Sequence, residues 1–176
     1  MSLSIKEKIE VPKGIELKVS GSSVEVIGPK GKLSKTFRFS NAKIARDGKE
    51  MSVETSARRR RDKAAVGTIM AHMRNMFKGV TEGFNYKMRV VYSHFPITVK
   101  VEGKRVSVNN FLGERSPRLS NIVGDVKVEV NGDEVIVSGI NKEDVGQTAV
   151  NIERSTRVTH KDRRIFQDGC YIVEGA

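Results

Sequence analysis

The chain repeats itself. Ile15, Leu17, Lys18, Val19, Gly21, Val24, Val26 and Gly31 stand 82 residues before Ile97, Val99, Lys100, Val101, Gly103, Val106, Val108 and Gly113. A unit of about 80 residues occurring twice in a 176-residue chain leaves room for two like domains and little else. Apolar residues alternate on both sides of Gly21 and of Gly103, the period-2 pattern of two half-buried strands joined by a tight turn. Each half therefore opens with a β-hairpin. Further on the spacing becomes 84, with Gly48, Met51 and Val53 opposite Gly132, Val135 and Val137. This is a second hairpin, around Asp47-Gly48 in one half and Asn131-Gly132 in the other, and both dipeptides suit a type I′ turn.

Each half then ends in a helix. Lys63-Ala64-Ala65-Val66-Gly67 matches Lys142-Glu143-Asp144-Val145-Gly146 at a spacing of 79. Val66, Ile69, Met70, Met73 and Phe77 recur at helical intervals and predict one apolar stripe against a sheet. Its methionines read as core, because Met fills irregular gaps in small cores. The second stripe is Val145, Ala149 and Ile152, with Asn141 as N-cap and Asp144 three residues later to complete a reciprocal cap. Four arginines precede the first helix, whereas Ser138-Gly139-Ile140-Asn141 runs straight into the second, which accounts for the shorter spacing. The reading is an α+β protein of two tandem similar domains from an internal duplication. Each is an antiparallel-rich β-sheet packed against one α-helix, and the domains are residues 1–82 and 83–176.

Several classes of function fall away. No stretch approaches the roughly 18 consecutive apolar residues of a membrane span. Met1 to Glu10 alternates apolar and charged residues, so it does not read as a secretory signal, and a cytoplasmic chain is expected. The single cysteine, Cys170, has no partner for a disulfide and no cysteine neighbours for a zinc site, and with an apolar run after it Cys170 reads as buried, not nucleophilic. His72, His94 and His160 are widely separated and show no paired-ligand spacing. His72 and His94 read as ordinary polar or packing histidines. The Gly-rich loops Gly28-Pro29-Lys30-Gly31-Lys32 and Gly113-Glu114-Arg115 follow hairpins and miss the P-loop pattern, so no nucleotide, metal or other cofactor is expected. No residue set reads as catalytic.

Charge is the imbalance that remains. The formal net charge is +11, which points to a polyanionic partner or an acidic membrane surface. Residues 1–82 carry 18 basic and 9 acidic groups, and residues 83–176 carry 14 and 12. Within that nearly neutral second half, Arg154, Arg157, Lys161, Arg163 and Arg164 lie within 11 residues, opposed only by Asp162. The first half has its own focus in Arg58, Arg59, Arg60, Arg61 and Lys63, and a weaker one in Lys30 and Lys32. Any one run taken alone is equally a solvated face, but discrete foci on a mixed background suggest discrete contacts. Nucleic acid makes the best use of them. Lys30, Lys32, Arg115 and Arg118 fall on exposed loops of a hairpin scaffold, and the arginine run lies at a helix N-terminus, where free N–H groups also favour anions. His160 and Phe166 could stack on an unpaired base, and Phe166 fits a core position equally well.

Three passages carry a family resemblance. Val24-Glu25-Val26-Ile27-Gly28-Pro29-Lys30-Gly31-Lys32-Leu33, Gly139-Ile140-Asn141-Lys142-Glu143-Asp144-Val145-Gly146-Gln147-Thr148-Ala149 and Arg164-Ile165-Phe166-Gln167-Asp168-Gly169-Cys170-Tyr171 occur in order on a duplicated chain. Together they resemble the large-subunit ribosomal protein numbered six, in its archaeal and eukaryotic-type form, over essentially the whole length. Cys170 departs from the aliphatic residue the family more often has, a small apolar swap. The resemblance implies a non-catalytic protein of the cytoplasmic large ribosomal subunit. It implies binding of large-subunit rRNA near the sarcin-ricin region, close to where translational GTPases dock, with neighbouring ribosomal proteins as further partners and neither membrane nor small-molecule substrate. On that carry-over the second-domain contacts are Arg115, Arg118, Gln147, Arg154, Arg157, His160, Lys161, Arg163 and Arg164. Lys30, Lys32 and Arg58 to Arg61 face RNA or neighbouring proteins. The alternative is a free-standing regulatory RNA- or DNA-binding module, and a weaker third reading is an enzyme acting on RNA.

Overall fold

Alternating strands do form, and Gly21, Gly103 and Gly132, each at positive φ, open three of the tight turns between them. The computed structural model describes residues 5–12, 14–37, 42–47, 50–55, 59–162 and 164–175. The chain divides into two units, Met1–Gly83 and Phe84–Ala176. In the first, the elements run β1 (Ile5–Glu10), β2 (Glu16–Ser20), β3 (Ser23–Gly28), β4 (Gly31–Thr36), β5 (Ala42–Asp47), β6 (Glu50–Thr55) and α1 (Arg60–Thr81). In the second they run β7 (Phe84–Val91), β8 (Thr98–Glu102), β9 (Arg105–Asn109), a 3-10 turn (Phe111–Gly113), β10 (Arg118–Asn121), β11 (Lys127–Asn131), β12 (Glu134–Gly139), α2 (Lys142–Ser155) and β13 (Gly169–Glu174). The order of the first unit recurs in the second.

Among the described residues each unit carries its antiparallel strands in two hydrogen-bonded groups packed with one helix, the α+β class the sequence predicts. The first has β2-β3-β4 and β1-β6-β5; the second has β8-β9-β10 and β11-β12-β7-β13. Strand β13 is the departure from the repeat: it pairs antiparallel with β7, Gly169 opposite Val91, so the second half does not end in its helix. The two-residue turns also differ from expectation. Asn131 pairs with Glu134, so the turn is Gly132-Asp133, and only Gly132 has positive φ, 61°. Positive φ at the first position alone marks a type II′ turn, not type I′. Gly21 and Gly103, both at φ 60°, begin equivalent turns. Gly48 lies outside the described residues.

The helical stripes are buried as the spacing predicts. Val66, Ile69, Met70, Met73 and Phe77 of α1 pack with Leu17, Val24, Val26, Met51 and Val53. Met76 and Val80 extend the stripe. In the second unit Val145, Ala149 and Ile152 pack with Phe84, Met88, Val106, Val108, Val135 and Val137. Burying a side chain the size of Val145 or Ile152 stabilises by about 1.5–3 kcal/mol, so these two short cores hold their sheets on the helices. Asn141 caps α2, its Oδ1 accepting from the Glu143 N–H at 3.2 Å. Asp144 does not reach back to the Asn141 backbone; it accepts instead from the Asn141 amide Nδ2 at 2.8 Å. No helix is long and apolar enough to cross a membrane among the described residues.

Candidate RNA-binding surface

Three loops meet at one end of the second unit: 92–97 after β7, 110–117 after β9 and 156–168 after α2. The middle loop turns sharply because Asn110, Leu112 and Gly113 all adopt positive φ, 59°, 51° and 78°. Asn110 Nδ2 donates to the Pro96 carbonyl at 3.0 Å, and the Phe95 ring lies where a Cβ on Gly113 would be 3.3 Å from it. Arg118 ties the same loop to the helix. Its Nη1 donates to the carbonyls of Ser155 at 2.9 Å and Arg157 at 3.2 Å, and its guanidinium carbon sits 4.2 Å from the Phe111 ring centroid. Those carbonyls lie at the end of α2, where intrahelical partners run out.

The third loop is ordered from within and from the first. Asp162 Oδ1 accepts from the Arg164 N–H at 2.9 Å, and its carbonyl accepts from the N–H groups of Ile165 and Phe166. His160 has φ 60°. The buried Asp168 carboxylate accepts from the backbone N–H groups of Ser93 at 2.8 Å and His94 at 3.1 Å, and pairs with His94 Nδ1 at 2.8 Å. The His94 ring stacks on Phe166, centroids 4.5 Å apart and planes 21° from parallel. Lys161 Nζ lies over the same Phe166 ring, 4.5 Å from its centroid. Burial pushes the Asp168 carboxyl up, but its hydrogen bonds from Ser93 and His94 more than offset this and hold it below its ordinary value.

Positive charge is left over at this end. Arg115, Arg154, Arg157 and Arg164 are exposed and have no ion pair or side-chain hydrogen bond among the described residues. The acids nearby are engaged. Glu114, its pKa lowered by the hydrogen bond from Arg118, faces that guanidinium; Glu153 Oε1 accepts from the Ile172 N–H at 3.4 Å. With Lys161, five cations stand on the last turn of α2 and on two of the three loops, elements fastened to one another, an arrangement suited to phosphates.

Comparison with known proteins decides the lineage. Residues 11–83 and 95–169 each match the family described as Ribosomal protein L6. The chain belongs to the ribosomal protein L6 family. It is 51% identical over 170 residues to a protein of Methanothrix thermoacetophila named large ribosomal subunit protein uL6, covering 97% of each chain. It is 49% identical over 177 residues to the protein of that name in Methanosarcina mazei, covering 100% of each, and 46% identical over 173 residues to that of Desulfurococcus amylolyticus, covering 97% of this chain and 94% of the other. The two family matches fit the tandem duplication, and L6 proteins are structural rather than enzymatic, which removes the reading as an enzyme on RNA.

Not every cation singled out in the sequence of this L6 protein stands free. Lys30 is held at the end of α1: its backbone N–H donates to the Val80 carbonyl at 3.0 Å and its ammonium to the Glu82 carbonyl. Lys32 is in β4 and pairs with Glu25. Arg118 opens β10 and is turned onto α2. All three find a partner within their own unit, as a lysine or arginine beside a glutamate or a helix C-terminus does, while Lys30 and Lys32 remain exposed and Arg118 is half-buried. Arg59 is the N-cap of α1, with no side-chain capping bond, and Arg60 and Arg61 fill its exposed first turn. Gln147 is exposed on α2 and donates to Asn151 at 2.8 Å; His160 is exposed. Arg58 and Arg163 lie outside the described residues.

Phe166 is neither a free stacking platform nor part of a strand; it is half-buried before β13, with His94 and Lys161 on its ring. Sequence reasoning read His94 as an ordinary polar or packing histidine and did not single out Phe95 or Asp168. The only local signal was the exposed pair His94-Phe95 before a proline, because Asp168 is 74 residues from its histidine.

Proposed function

We propose that this protein is a structural constituent of the large ribosomal subunit and that it binds large-subunit rRNA through the loop end of its second unit. The observation that carries this reading is the placement of Arg115 on the loop after β9, Arg154 in the last turn of α2, and Arg157, Lys161 and Arg164 on the loop after α2, elements that are fixed to each other. Arg163 belongs to the same basic run. Arg118 supports the site by shaping it, and His160 and Gln147 stand on its exposed margin. The bound region is rRNA near the sarcin-ricin segment, where translational GTPases dock, with neighbouring ribosomal proteins as further partners. Arg59 to Arg61, at the positive end of α1, face RNA or a neighbouring protein with anionic groups, since like charge at a helix N-terminus is otherwise unfavourable.

Filter binding of structured rRNA fragments at rising salt tests this. A fragment carrying the sarcin-ricin segment should bind tightest, and the chain should sediment with large ribosomal subunits. Equal affinity for any RNA or DNA duplex would point instead to a free-standing regulatory module.

A further inference from the structure

We propose that Asp168 is a positioning residue for RNA binding, acting through His94 to hold the basic loop 157–168 in its binding shape before RNA arrives. The proposal rests on the RNA-binding reading above. A carboxylate only 1% exposed is costly unless its oxygens are satisfied, and all the hydrogen bonds that Asp168 accepts come from residues 93 and 94, on another loop. Those bonds fix the backbone of Ser93 and His94 and the imidazole together. The imidazole in turn stacks on Phe166, and Phe166 carries Lys161 over its ring. A continuous series of contacts thus runs from a buried acid to an exposed cation in the middle of the basic loop.

The loop needs such a fastening. Between the end of α2 and Gly169 its described residues form no helix or strand to set its shape, and its cations repel one another. A loop that samples many shapes binds in proportion to the fraction already competent, so the apparent dissociation constant rises as that fraction falls. The clamp touches no phosphate in this account. Its loss should therefore weaken binding without altering the number of counterions released.

The test uses the full chain and the rRNA fragment that the unaltered protein prefers. Asp168→Asn keeps the shape of the side chain, and His94→Ala keeps the backbone bonds to Asp168 while removing the ring; circular dichroism checks that each is folded. Both should bind about tenfold more weakly with the salt slope unchanged. In Asp168→Asn, the amides of Ser93 and His94 should exchange hydrogen faster in the free chain and regain protection on RNA binding. Wild-type affinity in both folded variants would overturn the proposal, as would a slope reduced to that of an arginine variant. Arg157→Ala/Arg164→Ala is the control. If its slope falls while the clamp variants bind normally, the clamp alone is wrong; if its slope does not fall, the RNA-binding reading beneath it is wrong.

Discussion

Arg118 grips Glu114 with two parallel hydrogen bonds, Nε to Oε2 at 2.8 Å and Nη2 to Oε1 at 2.6 Å, while its remaining nitrogen caps the end of α2. One planar guanidinium thus fastens the β9–β10 loop to the helix. Arg118→Ala strands the carbonyls of Ser155 and Arg157 and should cost the second unit about 1–3 kcal/mol, read as a lower urea midpoint. Arg118→Lys should recover little, because an ammonium cannot reproduce the fork or the stack on Phe111. Full recovery by lysine would show that charge alone matters there.

Glycines should fail for two separable reasons. A Cβ on Gly139 would sit 2.8 Å from Val145 Cγ2, so Gly139→Ala should cost about 1–3 kcal/mol by overpacking. Its penalty should shrink when Val145 is also Ala, since the two residues share one space. Gly132 has nothing within 4 Å but a φ of 61°, so Gly132→Ala should cost about 1–2 kcal/mol through backbone strain, whatever its neighbours. Additive behaviour of Gly139→Ala with Val145→Ala in urea titrations would refute the packing account.

Cys170 should report unfolding. It is buried, and burial pushes its thiol up to about 11. At pH 8 that leaves roughly 0.1% thiolate against about a quarter for an ordinary thiol, so a disulfide reagent should react a few hundredfold more slowly with folded protein than with protein in urea. Equal rates would place the thiol at the surface.

Acid should loosen the second unit. The Asp168 pKa is lower folded than unfolded, so its stabilisation is fully present above the unfolded value, about 3.9, and is lost as pH falls through the folded value. Urea midpoints followed from pH 6 to pH 2 should drop below about pH 4, and less steeply in Asp168→Asn. Identical profiles would remove Asp168 from the acid response.

The fold class was legible because its causes are local or repeated. Alternation around Gly21 and Gly103 and the stripe Val66-Ile69-Met70-Met73-Phe77 need only neighbours to be read. Strand β13 was not, since it has no counterpart in the first half and its partner β7 lies 78 residues before it at the Gly169–Val91 pair. The site was legible in its charges and illegible in its fastenings. Arg154, Arg157 and Arg164 announce themselves by clustering. Whether an arginine is free or tied, as Arg118 is to Glu114 and Ser155, depends on which loops meet, and the Asp168–His94 pair leaves no mark on spacing at all.

The most direct test of the account is the salt dependence of rRNA-fragment binding by the full chain and by Arg154→Ala/Arg157→Ala/Arg164→Ala. Each lost phosphate contact should flatten the slope of log affinity against log salt by about one unit, so the triple variant should lose about three. A slope equal to that of the unaltered protein would mean that these arginines face solvent and that RNA is held elsewhere.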